Sequence, residues 1–242
     1  MFASKPYASQ YMKILNSFKK LTKFELRLWL VSVITVILSS AVGGESNVLS
    51  LIASLIGVTA LIFVARGDVL GQALTVVFGL LYAVVSWDLK YYGEMITYLG
   101  MSAPIALMSV VSWLRHPYKE GDGEVEVAVM NKSNIWVMLF LTVAVTTIFY
   151  FILKYFGNAR LVVSTISVTT SFLASYLMFC RSPFYALAYA ANDIVLIILW
   201  VAASFESLSY ISMVICFTMF FLNDIYAYFN WHRMLSRQQS GV

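Results

Sequence analysis

The chain has 242 residues, of which 61% are hydrophobic and only 12% charged, with a formal net charge of +4. Soluble domains run at roughly 25% charged residues, so this composition excludes a soluble enzyme and leaves little outside the membrane. The small positive excess serves membrane topology first and calls for no nucleic-acid partner.

Residues 1–25 are polar and basic. They lack a short apolar core followed by a small-residue cleavage site, so no cleaved signal peptide is expected. Tyr7, Tyr11, Met12, Ile14, Leu15 and Phe18 lie among lysines. That pattern fits either a helix on the membrane surface or a partly ordered tail.

A membrane span needs about 20 mostly apolar residues. Eight runs qualify, at 26–42, 48–65, 69–85, 94–114, 135–155, 161–179, 183–203 and 208–231. The second and third are split only by Arg66-Gly67-Asp68, read as a tight polar turn. Pro104 lies within the fourth and is expected to kink it. Residues 115–134, acidic and without a motif, read as a solvated connector, and 235–242 as a tail. The expectation is an all-α polytopic membrane protein with one transmembrane domain over 26–234.

Charge orients it. With the N-terminus in the cytoplasm, that side receives Lys5, Lys13, Lys19, Lys20, Lys23, Arg27, Arg66, Arg115, Lys119, Lys132, Arg181, Arg233 and Arg237. The outer side receives Lys90, Lys154 and Arg160. The positive-inside bias therefore puts both termini in the cytoplasm.

The chain also repeats itself. Residues 50–65 can be laid on 164–179, and each stretch leads through a short turn into another apolar helix. The third helices end alike, in Ser112-Trp113-Leu114-Arg115-His116 and Asn230-Trp231-His232-Arg233-Met234. Repeat one is read at about 47–116 and repeat two at about 161–234, with helix five linking them and helix one as an addition. An even number of crossings separates the halves, so they run parallel, an arrangement that places a site near the midplane between them.

Two Asn-Asp pairs, Asn192-Asp193 and Asn223-Asp224, sit deep in the last two spans. A carboxylate there costs about 2.5–3.5 kcal/mol on insertion scales, so it faces a polar cavity, a proton or a ligand. The rival role is hydrogen bonding that only ties helices together. Asn192, Leu196 and Trp200 share one helical face; Asn223 and Tyr226 share another, with Asp224 beside it. In the repeat alignment Asn192-Asp193 fall opposite Phe78-Gly79, so the polar groups of one half face aromatic and apolar groups of the other. Tyr82, Gln72, Glu94 and Tyr98 complete the candidate binding set. Trp87, Trp113, Tyr155 and Trp231 lie near span ends and are expected to be interfacial anchors.

No HExxH, P-loop, GxGxxG or Cys–His cluster occurs. No enzyme activity, metal or cofactor is expected, and Cys180 and Cys216 are not expected to pair. A receptor, or an integral membrane enzyme using Asp193 and Asp224 as an acid–base pair, is the alternative of another class.

The run Ala191-Asn192-Asp193 followed by Leu199-Trp200, then Asn223-Asp224 through Asn230-Trp231, with Leu80-Leu81-Tyr82-Ala83 and Tyr91-Tyr92-Gly93-Glu94 earlier, resembles the PnuC-type nicotinamide riboside transporters. The resemblance implies a three-plus-one-plus-three fold related to the sugar-transporting SWEET proteins, often homotrimeric, in a bacterial inner membrane. It implies facilitated diffusion of nicotinamide riboside, with trapping by a separate cytoplasmic kinase. It points to Asn192, Asn223 and Trp200 as substrate contacts. Phe78 stands where many relatives carry Asn, which leaves related vitamins or nucleosides such as thiamine or a deoxynucleoside as alternatives; separately, ion-coupled transport with the carboxylates as coupling sites is the alternative to facilitated diffusion.

Overall fold

The structure is a computed structural model that describes residues 17–42, 48–88, 92–119, 123–158, 160–205 and 211–240. The aromatic and apolar residues from Tyr7 to Leu15 lie outside the described residues. Among the described residues eight helices are long and apolar enough to cross a membrane. They are α1 (Lys23–Val42), α2 (Val48–Ala65), α3 (Val69–Asp88), α4 (Tyr92–Arg115), α5 (Lys132–Tyr155), α6 (Leu161–Phe179), α7 (Tyr185–Ser204) and α8 (Ile211–Ser240).

Local chemistry sets the helix ends. Thr22 and Glu25 form a reciprocal capping box at the start of α1, with Thr22 N–H donating to Glu25 Oε2 at 2.7 Å and Glu25 N–H to Thr22 Oγ1 at 3.2 Å. Asn131 caps α5 by accepting from Asn134 N–H at 2.8 Å. α2 ends in a Schellman turn: Asp68 N–H returns to Phe63 O and Gly67 N–H to Val64 O, both at 2.9 Å. Gly67 takes φ 68°, and a Cβ there would meet Met234 Cε at 2.7 Å. α6 ends in the same way 114 positions on, with Ser182 N–H to Leu177 O and Arg181 N–H to Met178 O, and Arg181 at φ 59°.

Pro104 does not interrupt a regular helix. Its ring lies in the first turn of the piece Ala103–Arg115, directly after a five-residue π-helical segment, Tyr98–Ser102. A π turn relieves the clash a proline makes with the preceding turn's carbonyl, so the irregularity is a local widening.

Neighbours pair off reciprocally. Within the halves α2 packs on α3, α3 on α4, α6 on α7 and α7 on α8. Between halves α2 packs on α8, and α4 on α6. α1 packs on α2 and α8, as α5 packs on α6 and the start of α4.

The hydrogen bonds across the halves follow the same two-fold pattern. Trp231 Nε1 donates to Val64 O at 3.0 Å, and Trp113 Nε1 to Met178 O at 3.2 Å. Asn230 Nδ2 donates to Ala65 O at 2.9 Å, and Ser112 Oγ to Phe179 O at 3.2 Å. Trp113 and Trp231 are both 0% exposed. The expectation that they anchor in the membrane interface is therefore overturned: their N–H groups satisfy carbonyls of the facing half inside the bundle. Trp87 and Tyr155 do stay exposed.

The connector is likewise more than a solvated link. Val125 is 0% and Val127 7% exposed. Val125 N–H donates to Gly67 O and Ala128 N–H to Arg181 O, both at 2.9 Å, so residues 123–128 strap the two Schellman turns together. α8 runs past 231 to Ser240 because its last turns have work there. Gln238 accepts from Val127 N–H at 2.8 Å and donates to Val125 O at 3.1 Å, and Arg237 pairs with Glu124.

Candidate functional site

Helical spacing on α7 puts Tyr185, Tyr189, Asn192, Asp193 and Leu196 along one side, facing the other half. Together with α2, α3, α4, α6 and α8 this side encloses a cavity of about 100 Å³ at the middle of the bundle. Phe78, Tyr98, Thr75 and Ser102 line it from the first half; Ser171, Ser175, Asn192, Asp193, Leu196 and Asp224 from the second. Among the described residues that line it there is no Lys, Arg or His.

Asp193 and Asp224 are each 3% exposed. Their carboxyls are near enough to interact directly. Among the described residues nothing hydrogen-bonds Asp193 Oδ2. Two adjoining carboxyls with no Lys, Arg or His among the described lining residues are an unfavourable arrangement in a low-dielectric interior, and a positively charged or donor-rich guest relieves it. Beside them Tyr189 Oη and Ser175 Oγ are hydrogen-bonded at 2.8 Å.

Asn192 plays a double part. Its Oδ1 accepts from Thr170 Oγ1 at 2.8 Å, Ser171 Oγ at 3.1 Å and Ser167 Oγ at 3.3 Å, which ties α7 to α6. With the oxygen thus occupied, the NH2 is what Asn192 has to offer a guest.

Toward the end of the bundle opposite the strap, a smaller cavity of about 20 Å³ shares Tyr98, Ser102, Ser171, Leu196 and Phe217 with the first. Tyr82, Glu94, Thr97 and Trp200 line it. The Tyr82 and Tyr98 rings stand 4.4 Å apart, and Phe78 lies 5.6 Å and 5.9 Å from them. The structure thus brings Phe78, Tyr82, Glu94, Tyr98, Asn192, Asp193, Leu196, Trp200 and Asp224 into two adjoining spaces.

Three candidates stand elsewhere. Asn223 turns away from the cavity toward α1: its Nδ2 donates to Ser32 Oγ at 3.0 Å and Met219 O at 2.8 Å. Tyr226 donates to Glu25 Oε1 at 2.9 Å, and Glu25 also meets Arg66 at 3.4 Å, so this cluster fastens α1 to the bundle. Gln72 is 0% exposed and lies behind the cavity wall, donating to Met178 Sδ. Sequence reasoning missed Tyr185, Tyr189, Ser171, Ser175, Phe217 and Phe220. The spacing of Tyr185 and Tyr189 from Asn192 was the available signal for the first two; the α6 hydroxyls resemble any small-residue packing face.

The model of the nicotinamide mononucleotide transporter family matches residues 47–233. The chain is 24% identical over 220 residues to the nicotinamide riboside transporter PnuC of Neisseria mucosa, covering 89% of this chain and 83% of that one. It is 22% identical over 210 residues to the PnuC of Haemophilus influenzae, covering 86% and 90%. A crystal structure of the vitamin B3 transporter PnuC shares the fold, with a TM-score of 0.77 at 24% identity, over 94% of this chain and 97% of that one. The eight helices, their order and the family match over 47–233 agree: the chain belongs to the nicotinamide mononucleotide transporter family.

Proposed function

We propose that this protein carries nicotinamide riboside across a bacterial inner membrane by facilitated diffusion, with both termini and the strap in the cytoplasm. A separate cytoplasmic kinase traps the product, and the protein assembles as a homotrimer. The observation that supports the substrate assignment is the adjoining carboxyls of Asp193 and Asp224 in a cavity also lined by the rings of Phe78 and Tyr98 from the first half and of Tyr185, Tyr189, Phe217 and Phe220 from the second. Nicotinamide riboside has a flat cationic ring, a carboxamide and ribose hydroxyls. The carboxyls supply the counter-charge, and Phe78 and Tyr98 face the ring. The Asn192 NH2, Ser171, Ser175 and Tyr189 suit the hydroxyls and carboxamide.

The same wall disfavours the phosphorylated mononucleotide. A phosphate brought beside two carboxyls, with no Lys or Arg among the described lining residues, is both desolvated and repelled. The substrate read here is accordingly the riboside, in keeping with the names of the PnuC relatives. The test is a thermal-shift panel on purified protein with nicotinamide riboside, nicotinamide mononucleotide, thiamine and neutral nucleosides. The riboside should raise the melting temperature and the mononucleotide should not. Equal stabilisation by the mononucleotide, or none by the riboside, contradicts the assignment.

A further inference from the structure

Toward the strap, the cavity ends on Val64, Met178 and Tyr185. Behind these lie Trp113 and Trp231, fully buried, with ring centroids 5.5 Å apart, and Tyr185 stands 4.8 Å from Trp231. Val125 and Val127 of the strap close the same buried cluster from the far side. Anything leaving the cavity toward that end has to pass this layer.

We infer that the paired tryptophans are the gate at the strap end and that residues 123–128 are its latch. The hydrogen bonds across the layer come in two-fold pairs. Trp231 and Asn230 of α8 hold the end of α2, and Trp113 and Ser112 of α4 hold the end of α6. Breaking them separates the halves at that end and leaves each half's own packing intact. The strap opposes that motion. Val125 holds Gly67 and Ala128 holds Arg181, and three residue steps reach at most about 10 Å. While both bonds persist the two turns cannot part. Two of the strap's side-chain fastenings are ion pairs of the weak, partly solvated kind, Glu124 with Arg237 and Glu126 with Arg181 at 3.5 Å, and a third is Gln238, which bonds Val127 N–H and Val125 O. A latch of that kind can release and re-form in each cycle. The inference rests on the transport reading and adds to it the residues that close one exit.

Two measurements test it. In a background carrying Cys180→Ser and Cys216→Ala, one cysteine pair is Asp68→Cys with Glu124→Cys, which are antiparallel bridge partners. The second is Ala128→Cys with Arg181→Cys. Bridge partners have Cα atoms about 4.5–5.5 Å apart, within disulfide range, which covers the first pair; the second pair is joined by the hydrogen bond from Ala128 N–H to Arg181 O at 2.9 Å. With both disulfides formed, riboside flux into proteoliposomes should fall at least 10-fold while riboside binding stays within 2-fold, and reductant should restore the flux. Undiminished flux with both cross-links verified by mass overturns the inference. The second measurement needs no flux. Ala227→Cys, in the buried cluster, should react with a water-soluble maleimide at least 3-fold faster when Glu124→Ala and Gln238→Ala release the strap. Unchanged labelling overturns the latch. A reduced protein that binds riboside but moves none counts against the transport reading, and the labelling still decides the gate.

Discussion

Asn192 and Asn223 look alike in the sequence, each followed by Asp in an apolar helix, yet they do different work. Asn192 lines the cavity, whereas Asn223 reaches Ser32, 191 positions away in the chain. Asn192→Leu should therefore weaken riboside binding by about 1–3 kcal/mol, the range for leaving a buried partner unpaired, as read by calorimetry. The melting temperature should change little, because the hydroxyls of α6 can turn to their own helix carbonyls; Thr170 Oγ1 already lies 3.0 Å from Ile166 O. Asn223→Leu should do the reverse, removing about 1 kcal/mol of stability, read as a lower melting temperature, and leaving affinity unchanged. Asp193→Asn should cost the cationic riboside at least several-fold more affinity than a neutral nucleoside, because only the cation loses a counter-charge. Equal losses for both ligands would show that the carboxylate acts only as a hydrogen-bond acceptor. The carboxylates were legible because a charge inside an apolar run is costly wherever it points. The direction in which Asn223 and Tyr226 point was not, because it depends on α1, whose packing on α8 no local pattern encodes.

The eight helices were legible as apolar runs, and the structure moves most of their ends by only a few residues. The larger differences have physical causes. α8 continues through polar residues because Met234 packs into the space left by Gly67 and Gln238 bonds the strap. α4 starts at Tyr92 and carries a π segment that periodicity does not reveal. The tryptophans at span ends matched the pattern of interfacial belts, and only the approach of the facing half turned them inward. The closeness of α2 and α3 is set by Gly71, where a Cβ would meet Val64 N at 2.3 Å and Phe63 C at 2.8 Å. Backbone cannot yield there as a side-chain tip can. Gly71→Ala should destabilise the protein by about 1–3 kcal/mol, visible as a lower melting temperature in detergent. An unchanged melting temperature would mean that α2 and α3 are free to part at that turn.

At the scale of the molecule, α2 and α6 both end in Schellman turns, Trp231 and Trp113 each donate to a carbonyl in the last turn of one of these helices, and a strap ties the two turns together. The halves differ where they face the cavity: both bring aromatic rings and hydroxyls, and among the described lining residues the carboxyls and the amide come from the second half alone. The carboxyls and the amide of the second half suit a guest with a cationic ring and hydroxyls, as proposed above. The most direct test is uptake of labelled nicotinamide riboside into proteoliposomes that contain this protein and no kinase, with and without imposed proton and sodium gradients. The expected result is protein-dependent entry that stops when inside and outside concentrations are equal and is unaffected by either gradient. Accumulation above the outside concentration under a proton or sodium gradient would contradict passive transport and make Asp193 and Asp224 coupling sites; no protein-dependent entry would contradict the transport of this substrate altogether.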